Sequence, residues 1–201
     1  MSRRLLVFTC LAWLQAATAS AEFLFTPFIG LKFGGTSRPT PTFVDSDFSE
    51  GRRKLLIGGS VAVLSDEILG IEVDYSFIPG YFRGETGLNV VSSAVTTLMG
   101  NVIVAVPLSV TQYSLRPYVV GGLGLIRARS DVVENVNFLA ISENLFGLNI
   151  GGGAIGSLTN RTSLRFELRH FTNLGGDESA VGFGRQRLSF WRATIGVAFR
   201  Y

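Results

Sequence analysis

Apolar and polar residues alternate with a period of two along most of this chain, in segments of about ten residues. From Ile68 to Ile78, the residues Leu69, Ile71, Val73, Tyr75 and Phe77 fall on one face, and Gly70, Glu72, Asp74 and Ser76 fall on the other. Between Ser163 and Thr172, Leu164, Phe166 and Leu168 oppose Arg165, Glu167 and Arg169. In the last segment Trp191, Ala193, Ile195, Val197, Phe199 and Tyr201 oppose Arg192, Thr194, Gly196, Ala198 and Arg200. Five further segments follow the pattern less cleanly, near 27–35, 54–64, 95–106, 117–127 and 146–157. In the first of them Ile29, Leu31 and Phe33 oppose Gly30 and Lys32, while glycines leave the facing of 117–127 and 146–157 open. Eight such segments predict an all-β fold, an eight-stranded antiparallel up-and-down transmembrane β-barrel with its apolar face toward lipid.

The connections support this architecture. Long polar stretches near 36–53, 79–94, 128–145 and 173–187 alternate with shorter turns near 65–67, 107–116 and 158–162. That is the asymmetry of external loops and periplasmic turns, and an even strand count returns both ends of the barrel to the periplasmic side. A soluble lipocalin-like carrier has a similar strand count, but it would have to turn the large Leu, Val and Phe face inward, leaving no cavity and placing the charged face outside.

The first 21 residues read differently. Arg3 and Arg4 precede an apolar run from Leu5 to Leu14, and Ala19-Ser20-Ala21 forms a small-residue cleavage site. The run is too short for a membrane-spanning helix, so residues 1–21 are expected to be a secretory signal peptide and 22–201 the outer-membrane barrel domain. Its loss removes Cys10, the one cysteine, so the mature chain would form no disulfide and offer no thiolate. The formal charge falls from +3 to about +1 without Arg3 and Arg4, and nucleic acid is not indicated as a partner.

The signal peptide, the closing segment from Phe190 to Tyr201 and the stretch Arg116-Pro117-Tyr118-Val119-Val120-Gly121-Gly122-Leu123-Gly124 resemble the OmpA-like and OmpX-like superfamily of eight-stranded outer-membrane barrels. The resemblance implies insertion by the barrel-assembly machinery, with Tyr201, Phe199, Val197 and Ile195 as the assembly signal. It also implies a bacterial outer-membrane location among lipid and lipopolysaccharide. Any extracellular ligand, of unknown identity, would bind the external loops, the first of which contains Pro39, Pro41, Asp45 and Asp47.

Several motifs have both a functional and a structural reading. Gly151, Gly153 and Gly156 match GxGxxG, but a turn follows where a dinucleotide site needs a helix, so no cofactor is expected. His170 is the one histidine, which leaves no multi-histidine metal site. His170-Phe171-Thr172-Asn173 is similar to the His-x-Ser-Asn motif of lipid A deacylase barrels, which would make His170 a base and Thr172 a nucleophile. Threonine stands where that motif has serine, and no acid lies on the matching face, so the expectation is a non-catalytic barrel. Phe23, Phe25, Phe28, Tyr118, Trp191, Phe199 and Tyr201 are candidates for the aromatic girdles, with a chain terminus packed under the barrel as the alternative for residues 23–28.

The minority face carries the remaining candidate chemistry. The third and seventh strands lie across the lumen from each other in a ring of eight, so Glu72 and Asp74 should face Arg165, Glu167 and Arg169. Lys32 and Arg192 stand on strands one and eight of the same face. An eight-stranded interior is just wide enough for side chains to fill, so an ion-pair network closing the centre is expected instead of a general porin's channel.

Overall fold

The computed structural model of the protein describes residues 21–35, 37–38, 53–65, 68–80, 90–111, 115–132, 141–174 and 187–201. Its strands are β1 (Ala21–Phe33), β2 (Ser37–Arg38), β3 (Lys54–Ser65), β4 (Leu69–Pro79), β5 (Val90–Ala105), β6 (Leu115–Val132), β7 (Ile141–Ser157), β8 (Thr162–Asn173) and β9 (Arg187–Arg200). A single helical turn, α1 (Leu108–Thr111), sits between β5 and β6. Each long strand pairs antiparallel with the next, and β1 pairs with β9. Eight strands therefore close into an up-and-down barrel, with the short β2 added to β9 at the rim. Closure leaves no open edge, as lipid requires, because backbone groups find no water there. Among the described residues no helix is long and apolar enough to cross a membrane.

Alternation decides what each strand buries. On β4, Leu69, Ile71, Val73 and Tyr75 are exposed while Gly70, Glu72, Asp74, Ser76 and Ile78 are buried. The lumen is filled in layers. Leu24, Ala62, Leu64, Ile103, Ala105, Val120, Ile155 and Ala198 pack together in its periplasmic part. Phe28, Leu56, Ile78, Val95, Met99, Ile126, Phe171, Leu188 and Phe190 pack in its external part. Glu72, Asp74, Arg165, Glu167, Arg169 and Arg192 lie between these two apolar clusters. At the periplasmic end Arg116 is buried and donates from Nε to the Val106 carbonyl at 2.8 Å and from Nη2 to the Ser65 carbonyl at 2.7 Å, tying two turns together.

Three expectations are corrected. First, β1 starts at Ala21, well before residue 27, because Phe23 and Phe25 continue its outward row; Phe28 has the opposite parity and is buried inside, not in a girdle. Second, Tyr118 is also inside: Gly121, Gly122 and Gly124 hid the parity of β6, on which even-numbered residues point inward. Third, the stretches expected as external loops near 79–94 and 128–145 are partly strand, with Val90 paired to Val132 and Ser130 to Ile141. Polar residues do not oppose pairing where a hairpin leaves the bilayer and its faces meet water. The middle of each external loop, including Pro39, Pro41, Asp45 and Asp47, lies outside the described residues, as do residues 1–20.

Candidate functional site

The site grows from six side chains that shear brings together in the middle of the lumen. Glu72 and Asp74 come from β4, Arg165, Glu167 and Arg169 from β8, and Arg192 from β9. All six are buried. Arg169 donates from Nη2 to Glu72 Oε1 at 2.5 Å and to Glu167 Oε2 at 2.6 Å. Arg165 is ion-paired through Nη2 to Glu72 and, at 2.8 Å, to Glu167 Oε2. Arg192 forms a fork on Asp74, with Nη1 to Oδ1 and Nη2 to Oδ2 both at 2.8 Å, and reaches Glu167 Oε1 at 3.3 Å. Three guanidinium groups thus balance three carboxylates. Paired charges are what a lumen closed to bulk water tolerates, since an isolated one would be costly there.

Neutral groups extend the network across the barrel. The Tyr118 hydroxyl accepts from Arg165 Nε at 2.7 Å and donates to Glu167 Oε2 at 2.7 Å. Ser60 accepts from Arg165 Nη1 at 3.2 Å. On the far side Asn149 Nδ2 donates to Asn101 Oδ1 at 2.7 Å, and Asn101 Nδ2 donates to Glu72 Oε1 at 3.0 Å. Rings close the flanks: the Arg192 guanidinium lies 5.0 Å from the Phe28 centroid and 4.8 Å from that of Phe171. A cavity lined by Thr26, Ser60, Asp74, Arg165, Glu167 and Thr194, among others, has a volume of about 10 Å³. That is room for about one water, far from a channel.

Glycines make the reach possible. A β-carbon on Gly122 would strike Asn101 and the Gly100 carbonyl, and one on Gly153 would strike the Tyr118 ring and the Phe166 carbonyl. The glycine-rich run on β7 therefore leaves room for lumen side chains, and no helix follows it to cradle a phosphate.

A family model described as the outer membrane protein beta-barrel domain matches residues 6–201. The chain belongs to this family of outer-membrane β-barrel domains. The family implies the bacterial outer membrane as its location. Solved structures with the same fold include the Neisserial surface protein NspA, with a TM-score of 0.62 at 14% identity over 90% of this chain and 99% of that one. A major outer membrane protein from Thermus thermophilus has a TM-score of 0.55 at 16% identity over 90% and 100% of the two chains. The N-terminal barrel of Pseudomonas aeruginosa OprF has a TM-score of 0.51 at 18% identity over 89% and 97%. Comparison with curated protein sequences finds no match.

The other expected positions of this outer-membrane barrel can now be located. Lys32 is buried on the lumen side of β1, in register with Arg192 of β9 and Lys54 of β3. Ile195, Val197, Phe199 and Tyr201 follow the outward row of β9, and Tyr201 donates its backbone N–H to the Phe23 carbonyl at 3.0 Å. Of the expected cleavage residues, Ala21 opens β1 and Ala19 lies outside the described residues. His170 and Thr172 both lie on the outward row of β8, but His170 Nε2 is 2.9 Å from Ser189 Oγ on β9, and its ring lies against Trp191 at 4.9 Å. Every carboxylate whose side chain is described (Glu22, Glu72, Asp74 and Glu167) lies on the lumen side. Among the described residues no cluster of three metal-ligating side chains occurs.

Sequence reasoning missed Asn101, Asn149, Tyr118 and Ser60. Asn101 and Asn149 did carry a signal: each interrupts an otherwise apolar strand at an inward position, between Gly100 and Val102 and between Leu148 and Ile150. A buried amide in such a place needs a partner.

Proposed function

We propose that this outer-membrane barrel is a closed, non-catalytic protein with a structural or surface-interaction role, and not a general porin. The observation that carries this reading is the full-width network of Glu72, Asp74, Glu167, Arg165, Arg169 and Arg192 between two apolar clusters. Neither a hydrated path nor a substrate cavity is compatible with a lumen filled in that way. The chain is exported as a precursor that loses residues 1–21, and the barrel-assembly machinery reads its last strand through Tyr201, Phe199, Val197 and Ile195. Its surroundings are outer-membrane lipid and lipopolysaccharide, and the external loops meet any extracellular ligand.

Planar-bilayer recording tests the closed lumen. The purified barrel should give no large, stable, ohmic steps, and such steps from wild-type protein would overturn the reading. Brief small openings that become more frequent in Arg169→Ala would identify Arg169 as part of the closure.

The deacylase reading, with His170 as base and Thr172 as nucleophile, is less well served by the geometry. The imidazole is engaged with Ser189 and Trp191, and no described carboxylate faces it to orient a base. Lipid A from cells expressing the barrel should therefore keep all its acyl chains, and His170→Ala should change nothing in its mass spectrum. Loss of one acyl chain that disappears in His170→Ala, Thr172→Ala or Ser189→Ala would establish an enzyme instead.

A further inference from the structure

The seam that closes the barrel is interrupted. β1 and β9 pair at Leu24 with Arg200 and Phe25 with Phe199, and again from Phe28 with Gly196 to Phe33 with Trp191, but Thr26 and Pro27 form no bridge with Ala198 and Val197. Pro27 is the cause, since a proline has no N–H to give to a ladder. It points outward, while its neighbour Thr26 points into the lumen and is buried.

The small cavity of the lumen lies against this interruption, lined on that side by Thr26 and Gly196 and on the other by Ser60 and Asp74. Thr26 of β1, Ser60 of β3 and Asp74 of β4 are direct cross-strand partners, and all three are buried. Each has hydrogen-bonding capacity left. Among the described residues the Thr26 hydroxyl meets no partner. Ser60 Oγ accepts from Arg165 Nη1 at 3.2 Å, which leaves its proton to donate. Each Asp74 oxygen accepts one bond from Arg192, at 2.8 Å, and keeps a second lone pair. A buried hydroxyl without a partner is costly, and a polar cavity holds water where an apolar one stays dry. The volume of about 10 Å³ is at the lower edge of what one water needs, so no organic ligand fits. Three guanidinium groups already match the three carboxylates around it, so the occupant is neutral.

We propose that this cavity binds one structural water, which accepts from the Thr26 and Ser60 hydroxyls and donates to Asp74. Three bonds are what a buried water typically makes. The bridge joins β1 to the ion-pair network and fastens it where the main-chain ladder to β9 is interrupted. It does not depend on whether the barrel conducts or catalyses.

Water-edited solid-state NMR of the whole barrel in lipid bilayers tests the proposal, with water as the probe. In wild type, magnetisation selected on water should reach Thr26 and Ser60 and pass over Leu24 and Ala62, the next inward residues toward the periplasm. Thr26→Val keeps the shape and removes the hydroxyl. It should lose the transfer at Ser60 and speed amide exchange at Phe28 and Gly196, the seam pair beside the interruption. Thr26→Ser, which restores a hydroxyl, should match wild type in both. Ser76→Ala, which removes a lumen hydrogen bond to Thr97 away from the seam, should change neither. Should Thr26→Val not fold, as judged by unheated gel mobility, the wild-type spectrum still decides. No transfer to Thr26 and Ser60 in wild type would show a dry cavity and overturn the proposal. Transfer at Ser60 that persists in folded Thr26→Val would overturn the bridge, and unchanged exchange at Phe28 and Gly196 in that variant would overturn its role at the seam.

Discussion

Asp74→Ala should destabilise the folded barrel by about 3–5 kcal/mol, the cost of removing one partner from a fully buried ion pair. Arg192 would lose both arms of its fork and keep only Glu167 at 3.3 Å, a carboxylate already shared by Arg165 and Arg169. The side chains of Arg192 and Asp74 are 0% and 1% exposed, so bulk solvent does not take the place of the lost carboxylate, and the small cavity beside Asp74 has room for about one water. Phe28 and Phe171 hold the guanidinium from either side and limit its freedom to find another acceptor. Asp74→Leu/Arg192→Met should cost much less than the sum of its single changes, because an apolar pair of similar volume leaves no unpaired charge. Urea unfolding in lipid vesicles, followed by the fluorescence of Trp191, measures wild type, Asp74→Ala, Asp74→Leu, Arg192→Met and the double change. Strict additivity of the two single changes would mean that the fork contributes nothing beyond its separate parts.

The second large effect lies on the lipid side. Val73→Arg should cost about 2–4 kcal/mol, because Val73 is the middle outward residue of β4 and a guanidinium there meets the bilayer core. Val73 is 55% exposed and in register with Val61 and Gly100, neither of which offers an acceptor side chain. Ile71, one step nearer the periplasm, should respond less to the same change as the charge approaches the interface. Ser76→Ala on the opposite face removes one hydrogen bond, that between Ser76 Oγ and Thr97 Oγ1 at 2.8 Å, and should cost about 0.5–1.5 kcal/mol. The same unfolding measurement compares them; equal effects at positions 73 and 76 would contradict the facing of β4.

Alternation over Ile68 to Ile78, Ser163 to Thr172 and Phe190 to Tyr201 was enough to read the fold class and the face of every charged residue on those strands, and five less regular segments completed the count of eight. The reason is physical: the side-chain period of a strand is two, and a bilayer outside a narrow lumen separates the two faces sharply in polarity. Where glycine replaces one face, as around Tyr118 and in 151–153, that contrast vanishes, and parity had to come from the pairing of β6 with β5 and β7. Polarity also failed at the external ends of β5, β6 and β7, because strands that leave the bilayer no longer need an apolar side. The sequence by itself thus determined a barrel with carboxylates and guanidinium groups facing one another across its centre. Only the tertiary structure decided which atoms meet, because stagger between strands sets the height of each side chain. The stagger puts Arg192 on Asp74, Arg169 between Glu72 and Glu167, and the Asn101–Asn149 relay opposite Gly122. Sequence distance carries no record of that shear, which is fixed by the closure of β1 against β9.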